Sequence, residues 1–173
     1  MMQSHNRGNR RRKTAYMGLF LALALICSYV EALIPFHFGI PGVKLGLTNI
    51  VVIFVLYCIG PWEALGISVF RIVISGFLFG NVFSILYSLA GGLFSYAVML
   101  TLKKWGKINC FCVSIAGGLA HNIGQLFMAA FLVSNLSVFY YAPVLLLSGA
   151  VTGLLIGIIA QEIIIRIGDR IGL

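Results

Sequence analysis

Six apolar runs, separated by short polar or glycine- and proline-rich breaks, account for nearly all of the chain. The first extends from about Ala15 to Ile34 and stops at Pro35. The second, Leu45 to Ile59, meets Gly60-Pro61, which turns sharply into the third, Trp62 to Phe79. The fourth covers Val82 to Leu102, the fifth Ile108 to Val133 and the sixth Val138 to about Ile165. Runs of roughly 18 or more apolar residues cross a ~30 Å hydrocarbon core as helices. Without water to satisfy the backbone, a continuous helix is the structure such runs predict. The second run is short, since about fifteen residues rise only ~22 Å. The stretch before it, PFHFGIPGVK (35–44), carries two prolines and two glycines, which oppose a regular helix. It either folds back over the outer mouth of the bundle or stands as an ordinary loop beside a thinned bilayer.

Polar interruptions of the runs carry the candidate chemistry. The fifth run contains AGGLAHNIGQ (116–125). His121 and Gln125 stand four apart and Asn122 and Gln125 three apart, so on a helix they share one flank. Gly117 and Gly118 remove side chains just before them, where a backbone or a ligand can approach. Polar groups at bilayer depth are costly and face a bundle interior, a cavity or a partner. This flank is therefore expected to line a substrate site, although His121 alone also reads as a satisfied buried histidine.

Arg71 sits in the middle of the third run, about nine residues or ~13 Å from its start. A guanidinium there needs a partner and suits carboxylate or phosphate geometry. It holds an anionic group of a ligand, or it bridges Glu31 or a backbone carbonyl. Glu31 lies near the outer end of the first run, and Lys44 and Asn49 open the second on the same side. All are expected to converge on one outward-facing cavity with two fixed positive charges and one negative.

Small residues also recur at helical spacing: Ala24, Ser28 and Ala32 in the first run, Ser84, Ser88 and Gly92 in the fourth, Gly149, Gly153 and Gly157 in the sixth. Such stripes let helices approach closely, within the bundle or against another membrane subunit.

Charge orients the runs. Arg7, Arg10, Arg11, Arg12 and Lys13 precede the first; Lys103, Lys104 and Lys107 separate the fourth and fifth; Arg166 and Arg170 follow the sixth. Opposite them lie only His37 and Lys44. The positive-inside rule then puts both termini in the cytoplasm. The expectation is an all-α polytopic membrane protein of six transmembrane helices. Residues 1–14 form a basic cytoplasmic arm, and 15–173 a single transmembrane domain in the cell membrane. The arm reads as a topology signal attracted to anionic lipid rather than as a nucleic-acid contact.

Composition agrees. The chain is 61% hydrophobic and 9% charged, against roughly 45–50% and about 25% in a soluble domain, which excludes the soluble class. The first run is too long for a secretory signal and lacks a cleavage site, so it is retained as a helix. Cys27, Cys58, Cys110 and Cys112 show no zinc spacing and imply no disulfide.

The blocks PGVKLGLTN (41–49), GPWEALGISVFRIVISGFLFG (60–80), SLAGGLFSY (88–96), AHNIGQ (120–125) and LLLSGAVTGLL (145–155) together resemble the bacterial Gx transporter family. That family is often labelled heptaprenyl diphosphate synthase component I and is similar to the substrate-binding S components of energy-coupling factor transporters. The resemblance covers Ala15 to about Ile165. It implies an S-component-like bundle whose pocket opens outward, working with a transmembrane coupling protein and cytoplasmic ATPases. By that likeness Ala24, Ser28 and Ala32, or the pair Gly18 and Ala22, would meet the coupling protein.

The enzyme label is tested by the residues. Prenyl chain elongation needs clustered aspartates holding Mg²⁺. The single aspartate here is Asp169, and there is no Walker lysine loop. Neither a metal, a cofactor nor a catalytic residue is expected, and an accessory role beside a synthase stays open. The leading expectation is a substrate-binding or transport subunit for a small anionic or carbonyl-bearing solute. Lys44 or Arg71 would meet the anion, with Glu31, Asn49, His121, Asn122 and Gln125 completing the site.

Overall fold

In the computed structural model of the chain, residues 2–33, 46–106 and 108–171 are described, with side chains for 11–33, 46–106 and 108–168. The elements are all helical: α1 (Met2–Leu33), α2 (Leu47–Cys58), α3 (Pro61–Phe79), α4 (Val82–Lys104), α5 (Cys110–Val133) and α6 (Ala142–Ile171), with a 3-10 turn over Leu136–Tyr141 before α6. Five of them are long and apolar enough to cross a membrane, and α2 is a shorter apolar helix. The chain is a multi-pass membrane bundle.

Three boundaries differ from those expected. The first helix starts at Met2, not near Ala15, because Arg, Lys and Gln are good helix formers and no proline interrupts them. The second is still shorter than its apolar run, 12 residues from Leu47 to Cys58. The sixth begins at Ala142. Ahead of it the Asn135 side chain accepts a hydrogen bond from Ser137 N at 2.8 Å and starts the 3-10 turn. Pro143 then falls in the first turn of α6, where its missing N–H does no harm.

Cross-helix contacts fix which ends lie together. Lys13 and Glu63 pair at 2.5 Å, joining the starts of α1 and α3. Lys103 Nζ donates to Leu56 O at 2.5 Å and lies 4.9 Å from the centre of the Tyr57 ring, joining the ends of α4 and α2. Cys58 Sγ lies beside Gly168 near the end of α6. Arg11, Arg12, Lys13, Lys103, Lys104 and Arg166 thus gather at one end, which the positive-inside rule makes cytoplasmic.

The core is built around the shortest helix. Val51 to Leu56 are all buried, and α2 packs against α1, α3 and α6. Phe54 meets Phe20 of α1 with ring centroids 5.3 Å apart. The longer helices turn Leu19, Phe70, Phe77, Phe127, Leu147 and other large apolar groups outward, as lipid-facing surfaces require. The closest packing is between α5 and its neighbours α4 and α6. There Gly118 lies against the backbone of Gly149, and Gly153 against Ser114 and Ile115. The glycines of α6 therefore serve packing within the bundle.

Candidate functional site

The length of α2 creates the site. Twelve residues rise ~18 Å, and the helix ends at the cytoplasmic side, so its first turn lies inside the hydrocarbon layer. The opening N–H groups of a helix have no intrahelical partner, and facing lipid they would find no water. Glu31 of α1 does. Its Oε1 accepts from Gly46 N and, at 3.2 Å, from Leu47 N, while Oε2 accepts from the Thr48 hydroxyl at 3.2 Å. Gly46 sits at φ +69°, a left-handed conformation for which glycine is suited, and a Cβ there would also come within 3.0 Å of Ile156 Cδ1. The sole acidic group in the outer half of the described bundle is thus a cap reaching across from another helix.

Beside this cap lies a cavity of about 40 Å³, room for about three to four waters at roughly 10–15 Å³ each. Every expected ligand-contacting residue within the described chain lines it: Glu31, Asn49, Arg71, His121, Asn122 and Gln125. Lys44 lies outside the described residues, as does the 35–44 stretch. The convergence spans α1, α2, α3 and α5, so it was not encoded by any local spacing. Ser88, Thr48 and Thr152 also line the cavity. Sequence reading put Ser88 among small packing residues and passed over both threonines. Their signal was faint, since a hydroxyl in a membrane helix usually bonds its own backbone; Thr152 does donate to Ser148 O at 2.9 Å.

The polar groups are unequally occupied. Asn122 Nδ2 donates to Leu145 O of α6 at 2.5 Å, which fixes the amide and leaves its oxygen as an acceptor. Gln125 is 1% exposed, yet its Nε2 has no partner among the described residues. Arg71 is half-buried, and its Nε is sealed from solvent without a partner among the described residues. Glu31 attracts Arg71 through space, but its own oxygens are committed to α2. Inward, the cavity abuts a second void of about 10 Å³ lined by Ser95, Ser114 and Met99, with Asn49, Gly118 and Thr152 between the two.

This polar lining runs through a stretch that matches a known family model, heptaprenyl diphosphate synthase component I, over residues 20–163. The chain belongs to that family. The match takes in part or all of each helix and every cavity residue named above, so the pocket lies within the component I region. No curated protein and no solved structure matches the chain.

The small-residue stripe of α1 divides between two faces. Ala24 and Ser28 are buried in the bundle, whereas Gly18, Ala22 and Ala32 are exposed and Gly18 has nothing within 4 Å of a built Cβ.

Proposed function

We propose that this component I chain is a non-catalytic membrane component that holds a small solute with an anionic group in the pocket that all six helices line. The observation that carries the reading is the buried Nε–H of Arg71 on a cavity shared with Nε2 of Gln125, both without a partner among the described residues. An unsatisfied donor at bilayer depth costs roughly 1–3 kcal/mol, more if charged. Two such donors on one cavity are accounted for by a ligand that answers both. The Asp-poor sequence supports leaving chain elongation to another subunit.

Family membership supports a setting beside a heptaprenyl diphosphate synthase, in isoprenoid or quinone side-chain synthesis. The position of the pocket favours a second setting. It lies in the half of the bundle away from the basic end, where a solute arrives from outside and a cytoplasmic synthase does not reach. In that setting the chain is a substrate-binding or transport subunit, energised by a transmembrane coupling protein and cytoplasmic ATPases.

One experiment addresses both. The chain is purified under mild conditions from its own membrane, its bound small molecules are identified by mass spectrometry, and its protein partners are recorded. Wild type is expected to carry a small anion that Arg71→Ala loses while staying folded and monodisperse. Unchanged ligand in Arg71→Ala refutes the pocket. A co-purifying soluble prenyl synthase selects the first setting, and membrane and ATPase partners with solute uptake select the second.

A further inference from the structure

We propose that the pocket selects a compact carboxylate bearing one hydrogen-bond donor next to it, a hydroxy or amino acid of a few carbons, with the carboxylate on Arg71 and Gln125. The inference rests on the ligand-holding reading above and adds the ligand's class and orientation.

The cavity presents two kinds of polar group. Arg71 and Gln125 bring N–H groups with no partner among the described residues. A guanidinium is a planar fork with five donors and no acceptor, and it matches the two oxygens of a carboxylate. The lining also presents acceptors. Asn122 has its NH₂ tied to Leu145 O, so its carbonyl oxygen remains. Glu31 Oε2 accepts from the Thr48 hydroxyl and keeps further lone-pair capacity. A ligand that answers both kinds of group carries negative oxygens for the donors and an adjacent O–H or N–H for the acceptors.

Size narrows the class. The cavity holds about 40 Å³, and its walls do not give way easily. At Gly118 a Cβ would collide with the backbone of Gly149, and at Gly149 it would lie 2.8 Å from Gly118 O, so α5 and α6 are already in backbone contact. At Gly91 it would lie 2.6 Å from Gln125 Cγ and 2.8 Å from His121 O, so α4 presses both residues into place. A carboxylate with a single substituent replaces about three to four waters in that space. A diphosphate with its prenyl chain requires the helices to separate.

The test uses the full chain in lipid nanodiscs, titrated by calorimetry with acetate, glycolate, lactate, glycine, alanine, inorganic phosphate and pyrophosphate. Hydroxy or amino carboxylates are expected to bind, with acetate roughly 10-fold weaker for want of the donor. Glycolate and lactate against glycine and alanine tells a hydroxyl from an ammonium. Arg71→Lys and Gln125→Leu are each expected to weaken the best binder by roughly 10- to 100-fold, as for one charge-assisted hydrogen bond. Because Arg71→Lys keeps the charge, it reads the fork itself, and Gln125→Leu serves if the lysine variant does not fold. Binding of phosphate or pyrophosphate in preference to the carboxylates overturns the inference, as does carboxylate binding indifferent to both variants, or silence across the panel. If the mass-spectrometric ligand is Arg71-dependent but not a carboxylate, only the class fails. If it ignores Arg71, the pocket reading fails with it.

Discussion

Replacing Glu31 tests the physical reason for the pocket. Glu31→Ala leaves the N–H groups of Gly46 and Leu47 and the Thr48 hydroxyl without their acceptor. Each such bond contributes about 1 kcal/mol net, and losing a helix cap costs roughly 0.5–2 kcal/mol. Water already fits the adjoining cavity and offsets part of the loss, so ~3 kcal/mol in total is a fair expectation. For a chain of this size each kcal/mol moves the midpoint by roughly 2–4 °C, giving a fall of ~6–12 °C. Glu31→Gln keeps one acceptor for the two backbone donors and loses only the anion's attraction to the helix start, about 1 kcal/mol or ~2–4 °C. The assay is thermal unfolding of both variants in the same detergent, followed by double-mutant cycles with Thr48→Val and with Arg71→Met. A loss under ~2 °C for Glu31→Ala refutes the capping argument. Stronger coupling of Glu31 to Arg71 than to Thr48 does so as well, since it restores the ion bridge as the main role of the carboxylate.

Two further substitutions probe the frame. Gly118→Ala drives a methyl into the Gly149 backbone and is expected to cost roughly 1–3 kcal/mol by overpacking, whereas Gly18→Ala meets nothing within 4 Å and is expected to leave the midpoint unchanged or raised; equal effects in thermal unfolding refute the assigned α5–α6 contact. Lys103→Met removes the bond to Leu56 O and the contact with the Tyr57 ring, with an expected loss of about 1–2 kcal/mol, and a midpoint shift under ~1 °C in the same scan counts against that clasp.

What the sequence made legible follows from how membranes simplify folding. Apolar length and lysine and arginine placement gave six helices and their directions, because lipid forces each apolar run into a helix and charge sets its polarity. The polar residues inside the runs were legible for the same reason: His121, Asn122, Gln125 and Arg71 have no place facing lipid. Their convergence follows from there being one interior to face. The role of Glu31 was not legible. It depends on α2 being 12 residues long and starting inside the bundle, and the apolar run of α2 extends past both ends of the helix. Nor could spacing reveal Thr48 or Thr152, which join the cavity through helix rotation. The stripe Ala24, Ser28 and Ala32 reads as one face at four-residue intervals, yet Ala32 is exposed while Ala24 and Ser28 are buried, because α1 packs along only part of its length.

The division of labour between Glu31 and Arg71 bears on why a ligand is needed at all. If the two formed a bridge, the pocket would be neutral and content, and a ligand would have to break an ion pair in low dielectric before binding. Here the carboxylate is held by the start of α2, whose dipole carries roughly half a positive charge. Arg71, whose Nε has no partner among the described residues, therefore stays available to an anion. A short helix that begins in mid-membrane thus does two things with one acid. It satisfies its own exposed backbone, and it occupies oxygens that would otherwise bridge Arg71.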